Sequence, residues 1–282
     1  MPTREEKIEV RVDAEPIEAT LVTPGTLIPG VLFVHGWGGS QEQYLARARE
    51  ISVLGCVCLT FDLRGHAGTQ RQRETVSRES NLRDTLAAYD VLAGHPHVDR
   101  SAIAVVGSSY GGYLAAILTA LRPVKWLALR APALYIDTGW ETPKLQLHKD
   151  QDLRTYRRSF VPAETNRALR ACADFQGDVL IVESELDDTI PRTVITSYRE
   201  ACLKARSLTY RCIPGADHGL TVDAAQRAYT SLLTQWLGEM LPGARREGDM
   251  AAAAATAAAA ARQAVDETAP SEHGPETPPK GV

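Results

Sequence analysis

No apolar run in the sequence approaches the roughly 20 residues that cross a bilayer, so a helical membrane anchor is not expected. The opening residues, Met1 to Lys7, are charged and lack an apolar stretch, which argues against a secretory leader. Neither sign of charge dominates: 31 Lys and Arg stand against 35 Asp and Glu, for a net charge of −4. That leaves no basic stripe for a nucleic-acid backbone. Cysteine is sparse and odd in number. Cys56, Cys58, Cys172, Cys202 and Cys212 match no zinc-ligand spacing and read as small buried hydrophobes in a reducing compartment. These absences lead to the expectation of a cytoplasmic protein without structural disulfides, and without a membrane or nucleic-acid partner.

What is present is an alternation of strand-like and helix-like segments from residue 30 to 241. Short apolar runs at Gly30–His35, Cys56–Phe61, Ile103–Gly107, Lys125–Arg130, Asp178–Glu183 and Leu208–Ile213 read as strands. Between them, Tyr44–Leu54, Asn81–Ala93, Tyr110–Ala120 and Arg192–Ala205 read as helices. Val222–Met240 closes the series with Tyr229, Leu232, Leu233, Trp236 and Met240 on one stripe. Continuously apolar strands joined by helices imply a mostly parallel central sheet covered on both faces, an α/β architecture. Ile8–Val12 and Ile17–Val22 look like an antiparallel hairpin on the sheet edge.

Two segments break the rhythm. Residues 131–173 are too long for a simple connection and are expected to form a small cap over the sheet's C-terminal edge, with Tyr135 and Trp140 lining the substrate pocket. Arg154, Arg157 and Arg158 make that segment cationic. Three cations in a charged segment read first as a solvated face, with a preference for a carboxylate-bearing substrate as the alternative. From residue 242 to 282 the composition turns to alanine and then to Pro, Glu and Thr. This is a low-complexity tail expected to be disordered beyond a 1–241 domain.

Gly107-Ser108-Ser109-Tyr110-Gly111 fits G-x-S-x-G and falls between a strand and a helix. A nucleophile on a sharp turn leaves no room for side chains two residues to either side, and only Ser109 is centred between the glycines. A serine hydroxyl needs a base. His218, in the loop Gly215-Ala216-Asp217-His218-Gly219 after the last strand, emerges at the same sheet edge. Among the other histidines, His35 and His66 sit beside glycines, His95 and His97 flank Pro96, His148 lies in the cap and His273 in the tail. The base in turn needs a carboxylate. Asp187 and Asp188, in the loop after Val179-Leu180-Ile181-Val182, are both candidates, with Asp137 in reserve. One oxyanion donor is expected from the Tyr110 N–H and the other from the loop His35-Gly36-Trp37-Gly38-Gly39-Ser40. That loop lacks the Gly-Lys-Ser/Thr ending of a phosphate cradle.

These stretches, with Phe61-Asp62-Leu63-Arg64-Gly65-His66 and Asp217-His218-Gly219, resemble the α/β-hydrolase superfamily over residues 30 to 241. Ser109-Tyr110-Gly111-Gly112-Tyr113 is similar to the nucleophile region of small esterases and prolyl-oligopeptidase-like hydrolases. The resemblance implies an α/β-hydrolase fold, a Ser109–Asp187–His218 triad and Trp37 as the second oxyanion donor. The implied activity is hydrolysis of a small-molecule carboxylic ester through an acyl-enzyme, with no cofactor and no metal. A peptidase for short peptides and a catalytically silent binding scaffold are the competing readings. Ala67 and Ser184 stand where many relatives have Gly.

Overall fold

The computed structural model describes residues 3–12, 15–24 and 27–241. The calls on the tail at 242–282, His273 included, lie outside them. Six strands form one parallel sheet: β3 (Ile28–Val34), β4 (Val57–Thr60), β5 (Val98–Ser108), β6 (Trp126–Arg130), β7 (Asp178–Ser184) and β8 (Ser207–Ile213), in the spatial order β4-β3-β5-β6-β7-β8. The helices are α1 (Glu42–Ser52), α2 (Arg78–Ala93), α3 (Tyr110–Leu118), α4 (Lys144–Asp150), α5 (Leu153–Arg158), α6 (Arg167–Asp174), α7 (Arg192–Ala201) and α8, over 223–241. None of them is long and apolar enough to cross a membrane.

Side chains alternate across a strand, so an apolar strand feeds two cores. Leu32, Val34, Val105, Leu127, Leu129, Val179 and Ile181 face one way and pack with α2, α3, α6 and α7. Val31, Phe33, Ala104, Val106, Ala128, Leu180 and Val182 face the other way, onto Tyr44, Ala48 and Ile51 of α1 and Tyr229, Leu233, Trp236 and Leu237 of α8. This double burial is why these strands read as unbroken hydrophobic runs.

The N-terminal hairpin corrects one expectation. β1 (Thr3–Val12) and β2 (Glu15–Pro24) pair antiparallel, but as a separate two-stranded sheet. The described residues include no hydrogen-bonded strand pairing between it and the edge of the main sheet. Ten-residue strands satisfy each other's backbone groups along one side, and an alternating pattern predicts pairing without identifying the partner.

Strand order also places the site. The chain leaves β3 for β4 on one side and returns to β5 on the other, so a crevice opens above the adjacent ends of β3 and β5. Val34 pairs with Gly107 there, and Ser108 pairs with Arg130 of β6.

Candidate active site

Ser109 sits between β5 and α3 with φ 52° and ψ −117°, a left-handed backbone that a non-glycine residue adopts only when held. Its N–H donates to the Arg130 carbonyl at 2.9 Å, and its carbonyl accepts from the N–H groups of Ala133 (2.9 Å) and Tyr113 (3.1 Å). The flanking glycines have a steric cause. A Cβ on Gly111 would lie 2.1 Å from the Val34 carbonyl oxygen, and one on Gly107 would lie 2.5 Å from that of Gly111. With side chains at either position, α3 could not close onto the ends of β3 and β5.

His218 Nε2 lies 3.0 Å from Ser109 Oγ, and its Nδ1 lies 2.7 Å from Asp187 Oδ2. The other carboxylate oxygen of Asp187 accepts from the N–H groups of Thr189 (2.9 Å) and Ile190 (2.8 Å), which fixes the plane of the group. The alternatives have other partners. Asp188 accepts from the Thr189 hydroxyl, and Asp137 accepts from the Arg167 N–H at the start of α6. Ser108 is buried, and its hydroxyl accepts from Arg130 Nε at 3.3 Å.

The glycine loop after β3 comes close to Ser109. A Cβ on Gly36 would stand 3.3 Å from Ser109 Cβ and 3.9 Å from its Oγ. Trp37 follows, its ring edge-on to Tyr110 with centroids 5.7 Å apart. Tyr110 opens α3, so its N–H is one of those that no carbonyl of the helix can reach.

Behind this loop lie two buried histidines, His35 and His66, with ring centroids 4.9 Å apart. His35 Nε2 accepts from the Leu63 N–H at 3.0 Å, so its proton is on Nδ1, toward the Gly36 carbonyl. Burial lowers the pKa of both, that of His66 to about 4, where the neighbouring His35 adds to the effect. Asp62 holds the Gln41 N–H and side chain, a structural role. Ala67 takes φ 42°.

The cap expectation meets four short helical pieces, α4, α5, a 3-10 turn at Ala163–Thr165 and α6. Tyr135 is buried with its ring against Tyr110 and Tyr113. Trp140 is half-buried. It stacks on Tyr113 at 6.0 Å, and guanidinium groups of Arg78 and Arg167 lie 4.8 Å and 4.5 Å from its centroid. These ring contacts are with Tyr113 rather than with Trp37 or Tyr110.

Sequence reasoning missed Arg130 as a site residue. This buried guanidinium ends β6 and donates to the His218 carbonyl at 2.8 Å, tying the histidine loop to the sheet. A lone arginine closing the apolar run Trp126-Leu127-Ala128-Leu129 was the available signal. Lys144 was also missed. It is buried with Nζ 4.0 Å from the Trp37 ring centroid and 4.7 Å from that of Tyr110.

Residues 31–232 match the model of the Alpha/beta hydrolase family. The chain is 25% identical over 227 residues to the alpha/beta hydrolase domain-containing protein WAV2 of Arabidopsis thaliana, covering 78% of this chain and 73% of that protein. It is 31% identical over 112 residues to the human mitochondrial palmitoyl-protein thioesterase ABHD10, a match spanning 39% of this chain and 35% of that one. Among solved structures, a metagenome-derived lipolytic enzyme of the LipS and LipT pair superposes with a TM-score of 0.59. It shares 17% identity over 76% of this chain and 95% of its own. At that identity the likeness is one of fold.

Proposed function

Since the chain belongs to the alpha/beta hydrolase family, we propose that it is a serine hydrolase that cleaves small-molecule carboxylic esters through an acyl-enzyme. The observation that carries this reading is the hydrogen-bonded series Ser109–His218–Asp187, ending on a serine held at φ 52°. Ser109 Oγ attacks the ester carbonyl as His218 Nε2 takes its proton. Asp187 keeps the other ring proton on Nδ1, so Nε2 is free to accept. The oxygen of the tetrahedral intermediate receives the N–H groups of Trp37 and Tyr110. His218 then protonates the departing alcohol. Water attacks the acyl-enzyme with His218 again as base, releasing the acid and restoring Ser109. This chemistry calls for no cofactor or metal. The five free cysteines fit a reducing, cytoplasmic compartment.

The test is a panel of p-nitrophenyl esters, S-acyl thioesters and aminoacyl-nitroanilides, run beside fluorophosphonate labelling of wild type and Ser109→Ala. Esters should turn over and Ser109 should be labelled. Nitroanilides cleaved faster than esters would replace this reading with a peptidase. An intact protein that resists labelling would replace it with a binding scaffold.

A further inference from the structure

Where the cap meets the acid loop, positive charge exceeds what the surrounding acids neutralise. α5 carries Arg154, Arg157 and Arg158 within six residues. A depression of about 480 Å³ lies between this helix and the loop after Asp187, with the three arginines, Asp188, Thr189 and Pro191 in its walls. Arg154 and Arg158 are exposed, as on any solvated face. Arg157 is not: it is 9% exposed. Its Nε–H donates to the Leu134 carbonyl at 2.9 Å, the Tyr135 hydroxyl takes a further hydrogen bond, and its guanidinium carbon lies 5.0 Å from the Tyr135 ring centroid.

A buried guanidinium ordinarily has a carboxylate partner. Among the described residues none stands within ion-pair distance of these three arginines. The acids at the rim are turned elsewhere, Asp152 to the Thr155 N–H and Asp188 to the Thr189 hydroxyl, both at 3.0 Å. Burial, and then the charges of Arg157, Arg73 and Arg78, hold the pKa of Lys144 well below the usual lysine value. The cluster is tied to the catalytic residues along two walls. Asp188 and Thr189 follow Asp187 directly. Leu134, which Arg157 holds, follows Ala133, whose N–H holds the Ser109 carbonyl.

We propose that this depression is an anion subsite of the catalytic centre, and that the preferred substrate is an ester carrying a carboxylate a few bonds from the scissile carbonyl. The planar fork of Arg157, already fixed by Leu134 and Tyr135, presents its remaining N–H donors to the carboxylate, and Arg154 and Arg158 close over it. The substrate thereby supplies the counter-charge that the protein lacks at this position.

The proposal rests on the serine-hydrolase reading, and the experiment separates the two. With the full-length protein, kcat/KM is compared for mono-p-nitrophenyl glutarate and for its neutral methyl diester of the same length. Wild type should favour the monoester by about tenfold or more. Arg157→Gln should abolish that preference, read as the ratio of the two kcat/KM values within the variant. Should Arg157→Gln fail to fold, the exposed double variant Arg154→Gln/Arg158→Gln carries the test and should lower the preference several-fold. Calorimetric titration with glutarate reads the subsite without turnover, and affinity should fall in either variant. Equal rates for the two esters in wild type, an unchanged preference in the variants, or no glutarate binding by wild type would each overturn the proposal. Glutarate binding with no ester cleaved and no labelling of Ser109 would count against the catalytic reading alone.

Discussion

Ser108 and Ser109 are neighbours in the chain with opposite surroundings: one hydroxyl points to Arg130 inside the protein and the other to His218. Ser109→Ala should therefore lower ester turnover by about 10⁴-fold or more, because the triad acts as a unit. Ser108→Ala should keep turnover within about tenfold of wild type. Circular dichroism would check that both variants fold. A dead Ser108→Ala beside an active Ser109→Ala would reverse the assignment. Asp187 and Asp188 pose the same kind of choice. Asp187→Asn removes the acceptor that fixes the His218 tautomer and should cost on the order of 10³- to 10⁴-fold in kcat. Asp188→Asn, at a carboxylate that accepts from the Thr189 hydroxyl rather than from His218, should stay near wild type. Equal losses in steady-state assays would sink the distinction. Ser109 was legible from the glycine spacing. The sequence of the acid loop left both aspartates open, because what separates them is the turn in which the Thr189 and Ile190 amides fold back onto one carboxylate. Arg130 and Lys144 escaped notice, and Arg157 was not told apart from its exposed neighbours Arg154 and Arg158, because a sequence does not display the burial of a cation.

Among the elements, the strands were the most legible, since burial on both faces prints an apolar run. The hairpin's own pairing was legible too, but its separation from the main sheet was not. The cap was legible only as an interruption, because its helices are six to eight residues long and are held by side chains from elsewhere. Arg78, buried in α2, donates to the Ile136 and Thr138 carbonyls, and the Lys144 N–H donates to the Val76 carbonyl at 2.9 Å. The first half of the cap is thereby stapled to the start of α2. Trp140 stands on that staple, between Arg78 and Arg167 and against Tyr113. The proposal that the cap frames the acyl space predicts that Trp140→Ala will shift relative kcat/KM across p-nitrophenyl esters of increasing chain length. The shift should be about tenfold, the equivalent of one or two methylenes of pocket. Stability should fall by only about 1–2 kcal/mol, since the ring is half-buried. An unchanged chain-length profile with the same loss of stability would make Trp140 a prop for Tyr113 and take the cap's first half out of the site.

At the scale of the whole molecule, the chemistry rests on a fold that hides two neutral imidazoles. His35 and His66 fill the space behind the glycine loop, each 1% exposed, and the loop that carries Trp37 packs on them. In the unfolded chain both would titrate near 6.5. In the folded chain burial lowers both, His66 to about 4. Between those two values the unfolded state binds more protons than the native state. The stability associated with His66 is therefore fully present above about pH 6.5 and is lost as pH falls toward 4. At 1.36 kcal/mol per pH unit, this amounts to about 2 kcal/mol by pH 4.5. His66→Asn keeps an N–H donor for the Leu63 and Arg64 carbonyls that Nδ1 now meets, and it does not titrate in this range. Urea unfolding at pH 7 and at pH 4.5 isolates the term. The variant should lose about 2 kcal/mol less than wild type over that interval, while carboxylates common to both proteins contribute equally and cancel. Parallel losses would mean that His66 is reached by protons or water in the native state. The packing behind Trp37 would then be too loose to hold its loop as the proposed oxyanion site requires.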